Sequence, residues 1–264
     1  MPVIGSISNQ QLPHVIPEVT AEDEVTVLVT GFGPFLDKYP INASWSIAAT
    51  LPDTISANAA HPTRINIIVP KDPIRVAFQE VLNRDPGLLS STQPKIDIVL
   101  HIGLAAGIDY YTIERLARRE GYDDEGRCDV DGKSFTRKDS RKVWYDCPDY
   151  LTTGFDYADV WRRWRSNCPD PKLDLQPSDD AGLYLCEFIY FTSLSYFWRQ
   201  GVTDRPVMFL HVPDLPGEKD IAEGREVAIA LIRALVDSWR QRSKKIEVNG
   251  AVTGETLPTV AVLP

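Results

Sequence analysis

Long hydrophobic runs are missing from the sequence. None approaches the roughly 20 apolar residues that cross a bilayer, so no membrane partner is expected. Histidine is scarce, at 4 of 264 residues, and the 4 cysteines form no C-x-x-C. Cys128, Cys147, Cys168 and Cys186 therefore complete no zinc spacing, and no metal is expected. Basic residues are in deficit: 28 Lys and Arg against 37 Asp and Glu leave a net charge of −9. Such a chain repels phosphate backbones, which counts against nucleic acid as its main partner. The opening stretch, MPVIGSISNQQLPHVIPEVTAEDE, lacks the basic region and apolar core of a secretory signal. The expected location is thus cytoplasmic, with free thiols, and the glycosylation pattern Asn42-Ala43-Ser44 is expected to be idle. Gly and Pro, 16 and 20 in number, are scattered, which excludes collagen-like and low-complexity chains.

What remains is an ordinary globular composition, 43% hydrophobic and 25% charged. The length suits one large domain or two small ones. The β-branched runs Val25 to Thr30 and Ile65 to Val69 predict buried strands, as do Ile96 to Ile102 and Val207 to Val212. Leu173 to Leu175 suggests a shorter one. Asp72-Pro73 offers an N-cap and a first-turn proline for a helix through about Leu82. Ile221, Ala228, Leu231, Leu235 and Trp239 recur at helical spacing, predicting a helix from Asp220 to about Arg240. Strands alternating with amphipathic helices indicate an α/β domain around a largely buried sheet. The reading is one domain at residues 24–245, with a charged and aromatic excursion at 123–179. Residues 1–23 and 246–264 read as flexible terminal segments.

Ligands of open α/β sheets bind beyond the carboxyl ends of the strands. Three segments place chemistry there. Thr30-Gly31-Phe32-Gly33-Pro34-Phe35 lacks the third glycine of a dinucleotide fingerprint, and Pro34 stands where the helix should begin. Its phenylalanines suit either a flat apolar pocket wall or the core. Gly103 to Gly107 follows another strand and leads to Ile113-Glu114-Arg115. Ala181 to Cys186 reads as a glycine-containing loop entering an aromatic helix, whose positive end favours a thiolate. His211 closes the strand VMFLHV. Each residue alone has a bland alternative, as packing cysteine, surface acid or structural histidine. Together they supply nucleophile, base and orienter for acyl transfer, although spacing does not show that they meet.

Four segments in order resemble the pyroglutamyl peptidase I family of cysteine peptidases: LVTGFGPFLDKYPINASW, HIGLAAGIDYYTIER, DAGLYLCEFIYF and FLHVPDLP. The resemblance implies a single-domain α/β/α sandwich around a mixed, largely parallel sheet, of the phosphorylase/hydrolase-like kind. It implies a cofactor-free omega-peptidase acting on peptides with an N-terminal pyroglutamate. Cys186 would be the nucleophile, His211 its base and Glu114 the third member. Phe32, Gly33, Phe35, Leu104 and Leu185 would line the substrate. The sequence departs from the family at Leu104, where glutamine is usual, and at Glu187, where asparagine is usual. The family's arginine near the oxyanion has only Arg118 and Arg119 as candidate counterparts. A thiol hydrolase of another small cyclic or acylated amide, or a non-catalytic binder, stands as the alternative.

Overall fold

The computed structural model describes residues 24–35, 40–90 and 94–252. The β-branched run after the amino terminus forms β1 (Glu24–Gly31), at whose end the chain turns into the short helix α1 (Ala43–Ala48). Asn42 caps α1, accepting from Ser44 N at 3.1 Å and donating to Gly33 O at 2.9 Å. That amide is buried and committed, so it is closed to glycan attachment. Then come β2 (Thr54–Ile55), β3 (Arg64–Ile68), α2 (Phe78–Leu89), β4 (Ile98–Leu104), β5 (Tyr111–Glu114) and β6 (Leu116–Arg118). The second half adds α3 (Arg137–Val143), β7 (Tyr150–Thr152), α4 (Tyr157–Asn167), β8 (Leu175–Ser178), α5 (Leu185–Arg199), β9 (Val207–Val212) and α6 (Glu218–Val252).

Seven strands form one sheet in the order β2-β3-β1-β4-β9-β5-β8. Pairing is parallel from β3 through β1 and β4 to β9, and antiparallel at β2–β3 and β5–β9. The fold is thus the expected mixed, largely parallel sheet. Its two faces are buried under separate apolar clusters, as strands without polar alternation require. Side chains of α1, α4 and α6 cover one face, with Ile47, Trp164 and Leu231 at its centre. On the other face α2 and α5 pack with Phe78, Phe188 and Phe191.

Three expectations are corrected. Asp72-Pro73 does not start α2. Ile74 is held as an extended bridge to Phe32, its N–H donating to Gly31 O at 2.9 Å, so helix can begin only beyond it. The cap is tertiary: Asp129, 51 residues on, accepts from Phe78 N at 3.0 Å. The short strand at Leu173 to Leu175 lies instead at Leu175–Ser178, where it finds β5 as a parallel partner. Finally, α6 continues through Val252, past the start of the segment read as a flexible tail at 246. The expected arm at 1–23 and the last residues of that tail, 253–264, lie outside the described residues.

The excursion divides between the two faces. Its first part lays Phe135 and Trp144, beside Tyr122 just before it, over α5, and Trp144 and Phe191 meet edge-on at 4.8 Å between centroids. Its second part, α4, packs on α6, with Trp164 Nε1 donating to Val227 O at 3.1 Å. Sandwiched in this way, α5 is apolar on nearly every side, as befits a helix with no solvent face.

Candidate active site

The carboxyl ends of β1, β4 and β9 point to one edge of the sheet, because these strands run parallel. Cys186 is the second residue of α5, and the helix axis aims its amino end at that edge. The pleat of β4 turns Gly103 toward Cys186: a Cβ at Gly103 would stand 2.8 Å from Cys186 Sγ and 2.7 Å from Phe209 Cζ. Glycine is therefore the residue that lets the thiol rest on the strand backbone.

In the β9–β4 register His211 lies beside Gly103. Across the antiparallel pair, Thr112 opposes His211 and Glu114 opposes Phe209, so all four side chains share one face. His211 Nδ1 is 2.8 Å from Glu114 Oε1, and Thr112 Oγ1 donates to the same oxygen at 2.9 Å. Glu114 is 1% exposed, and its Oε2 has no hydrogen-bond partner among the described residues. Tyr190 of α5 and Tyr157 of α4 fix this strand from opposite sides, donating to Glu114 O at 2.9 Å and to Ile113 O at 2.6 Å.

Burial alone would lower the pKa of His211. Charge and hydrogen bonding from Cys186 and from Glu114 outweigh it and push the value up to about 10. With Nδ1 engaged by Glu114, Nε2 is the nitrogen left for the thiol. The three groups that sequence alone could not bring together thus form one chain, Cys186–His211–Glu114.

The five expected lining residues are spread more widely. Phe35 is half-buried and packs against both clusters. Phe32 and Leu185 are buried in the α2/α5 cluster at 3% and 1% exposure. Leu104, one pleat beyond Gly103, belongs to the cluster on the opposite face. The backbone of Gly33 holds its own turn, its N–H donating to Ile74 O at 2.9 Å and its carbonyl accepting from Asn42. Phe209, Thr112 and Gly103 were not singled out for roles of their own; the i, i+2 spacing of Phe209 and His211 on one strand is the signal for the first. A cleft of about 810 Å³ between α1 and the start of α6 is lined by Trp45, Leu215 and Ile221, among others, and by none of the three reactive groups.

An α/β sandwich that carries a thiol, an imidazole and a carboxylate in line at the carboxyl edge of its sheet has the architecture of a cysteine hydrolase. The pyroglutamyl peptidase family model matches residues 25–231 of this sequence, and the chain belongs to that family. It is 26% identical over 220 residues to human pyroglutamyl-peptidase 1, covering 83% of this chain and 94% of the relative. It is 28% identical over 217 residues to the pyrrolidone-carboxylate peptidase of Thermococcus kodakarensis, covering 78% and 95%. Among solved structures, pyroglutamyl peptidase I from Bacillus amyloliquefaciens superposes with a TM-score of 0.64 at 21% identity, over 81% of this chain and 96% of that one.

Proposed function

We propose that this protein is a cysteine omega-peptidase that removes an N-terminal pyroglutamyl residue from peptides, with Cys186, His211 and Glu114 as its catalytic residues. The observation that carries the reading is the Nδ1 contact of His211 with Glu114 at 2.8 Å, with Cys186 raising the same imidazole from its other side.

Cys186 Sγ attacks the carbonyl that joins the lactam ring to the following residue. First-turn N–H groups of α5 have no intrahelical acceptor and would stabilise the resulting oxyanion. As the C–N bond breaks, His211 Nε2–H gives its proton to the leaving amine. His211 then takes a proton from water, which attacks the thioester and releases pyroglutamate. Glu114 holds the imidazole in its tautomer and balances its charge throughout.

The substrate is neutral at its amino end, so its pocket needs apolar walls and a few amide partners rather than a carboxylate. Phe35, Phe32, Leu185 and Gly33 are the residues we assign to that end, with Leu104 at the carboxyl end of β4, its side chain packed on the other face of the sheet. Leu104 favours a second reading, a hydrolase of another small cyclic amide, because it can neither donate to nor accept from a lactam. Free thiols at all four cysteines support a reducing, cytoplasmic setting.

Fluorogenic amides of pyroglutamate, proline and alanine decide between these readings. Cleavage of the first alone supports the pyroglutamyl peptidase. Cleavage of the others only supports the second reading, and cleavage of none would leave a binder.

A further inference from the structure

Glu187, next to Cys186 in the chain, is 0% exposed, and its carboxylate takes four hydrogen bonds from only two residues. Arg118 N and Nε donate to Oε1 at 2.7 and 2.8 Å. Arg118 Nη2 and Leu183 N donate to Oε2 at 2.9 and 2.7 Å. The same guanidinium reaches Asp180, whose Oδ1 accepts from Gly182 N at 3.1 Å. Arg118 therefore ties together both carboxylates that grip the loop leading into the nucleophile helix.

That loop has unusual backbone geometry. Gly182 has φ 93° and Leu183 has φ 46°. Glycine adopts the left-handed region freely, but leucine does so at a steric cost and needs an external hold. Glutamate at the third position of a helix ordinarily reaches back to the N-cap N–H. Here it reaches one residue further, to Leu183, the strained position. Seating of the thiol itself is separate, since Cys186 Sγ rests against Gly103 on β4.

We propose that Arg118 and Glu187 are a positioning pair for the oxyanion side of the site: they hold Leu183 in its left-handed turn and so aim the first-turn N–H groups of α5 at the acyl carbonyl. This deepens the peptidase reading of Cys186 and rests on it. Neither residue touches substrate; both act through the backbone of residues 183–186.

The test uses the full chain as wild type, Glu187→Gln, Arg118→Lys and the double variant Glu187→Gln/Leu183→Gly. Three quantities are read: kcat and KM on a pyroglutamyl fluorogenic amide, the rate of Cys186 alkylation by iodoacetamide, and amide hydrogen exchange across residues 181–186. Misaimed donors are expected to lower kcat about 10- to 100-fold in Glu187→Gln. KM should stay within about threefold, because ground-state contacts persist. Alkylation, which needs no oxyanion donors, should also stay within about threefold. Exchange in the loop should quicken, and Leu183→Gly should restore several-fold of the lost kcat, because glycine needs no hold. Arg118→Lys keeps the charge but loses the fork, and should show the same split with a smaller loss. Unchanged exchange in both single variants, or a loss of kcat matched by an equal loss of alkylation, would overturn the pair's role. A wild type that cleaves no pyroglutamyl amide would overturn the peptidase reading instead, and the exchange arm would still decide whether the pair holds the loop. If Glu187→Gln does not fold, Arg118→Lys alone carries the comparison.

Discussion

Gly103 on β4 and Cys186 on α5 touch so closely that a single methyl group at Gly103 would lie 2.8 Å from the sulfur. The opposite wall of that space is the buried ring of Phe209, which also packs at a tilt against His211 with 4.7 Å between ring centroids. Sulfur, ring and imidazole are therefore packed as one unit against a bare stretch of backbone.

Gly103→Ala should displace the thiol, because the Phe209 ring has no room to yield. Overpacking of this kind costs about 1–3 kcal/mol of stability. A shift of the sulfur by about 1 Å costs on the order of 100-fold in rate. Steady-state kinetics and chemical unfolding of the same preparation check both numbers. Full activity in the alanine variant would mean the thiol sits elsewhere.

Cys186→Ala should abolish hydrolysis and leave the fold intact, since it removes the nucleophile and little volume. Iodoacetamide should label Cys186 ahead of the other three thiols, because His211 supplies a positive partner only there. Burial raises the thiols of Cys147 and Cys168, the first to about 11, and protects both. Cys128 is exposed, and its thiol donates to Gly126 O at 3.6 Å rather than to an imidazole. Peptide mapping after partial modification, with residual activity measured in parallel, tests the order.

Glu114→Gln should lower kcat/KM by about 100-fold or more, because the imidazolium loses its counter-charge and its tautomer is no longer enforced. The pH profile carries the sharper signal. His211 is raised to about 10 by Cys186 and Glu114 against the opposing pull of burial. Its contribution to stability is therefore full below about 6.5 and is lost as pH rises through about 10. Without the Glu114 charge the folded value falls, so the alkaline limbs of both activity and stability should move to lower pH. Profiles of kcat/KM and of urea midpoints, each taken from pH 6 to 11, check the direction.

A second buried chain lies beneath the nucleophile helix and makes an independent prediction. Thr30 Oγ1 and His101 Nδ1 are 2.7 Å apart, His101 Nε2 and Ser193 Oγ 2.8 Å, and Ser193 Oγ donates to Asp85 Oδ2 at 2.7 Å. Donation running from Thr30 to Asp85 satisfies every link. Burial raises Asp85 from 3.8 to about 7, against the pull of the Ser193 hydrogen bond. Stability from this group is thus fully present below about pH 4 and is lost as pH rises through about 7, by on the order of a few kcal/mol. Burial lowers His101 to about 3, so its contribution has the opposite sense and is lost as pH falls below about 6.5. Asp85→Asn should flatten the stability profile between about pH 4 and 7 relative to wild type. Equal slopes in urea unfolding would show that Asp85 ionises freely in the folded chain.

Leu104→Gln puts an amide at the carboxyl end of β4 that the apolar cluster around Leu104 cannot satisfy. Turned to the sheet edge, it should raise kcat/KM for the pyroglutamyl amide relative to the prolyl amide, because only the lactam can use it. Each such bond contributes about 0.5–1.5 kcal/mol net. Leu104 is 7% exposed, so thermal unfolding must accompany the two specificity constants. An unchanged ratio in a folded variant would place Leu104 away from the lactam.

Much of the site was legible in local sequence. The runs VTVLVT and VMFLHV could only be buried strands, and a residue closing such a strand, as His211 does, is carried to the sheet edge. The glycine loop before Cys186 announced a helix start, and the four ordered segments pointed to the family. Local signals failed where the deciding partner was remote. Asp72-Pro73 has good helix-starting chemistry, yet Ile74 is drawn into a bridge with Phe32 and the working cap is Asp129. The first part of the excursion carried no periodic signal, because its aromatics Phe135 and Trp144 are ordered by α5 rather than by each other, whereas its second part, α4, packs on α6.

By itself, then, the sequence determined the alternation of strands and helices, the edge at which chemistry sits and the residue types available there. Only the tertiary structure decided that Glu114 meets His211 across 97 residues of chain, that Gly103 makes room for the sulfur, and that Glu187 grips Arg118. The reason is physical. Strand and helix formation follow from backbone preference and apolar period over a few residues. The contacts of the site depend on β5 entering antiparallel beside β9 and on α5 being clamped between two packed layers. Those are properties of the assembled core, which no short window of sequence contains.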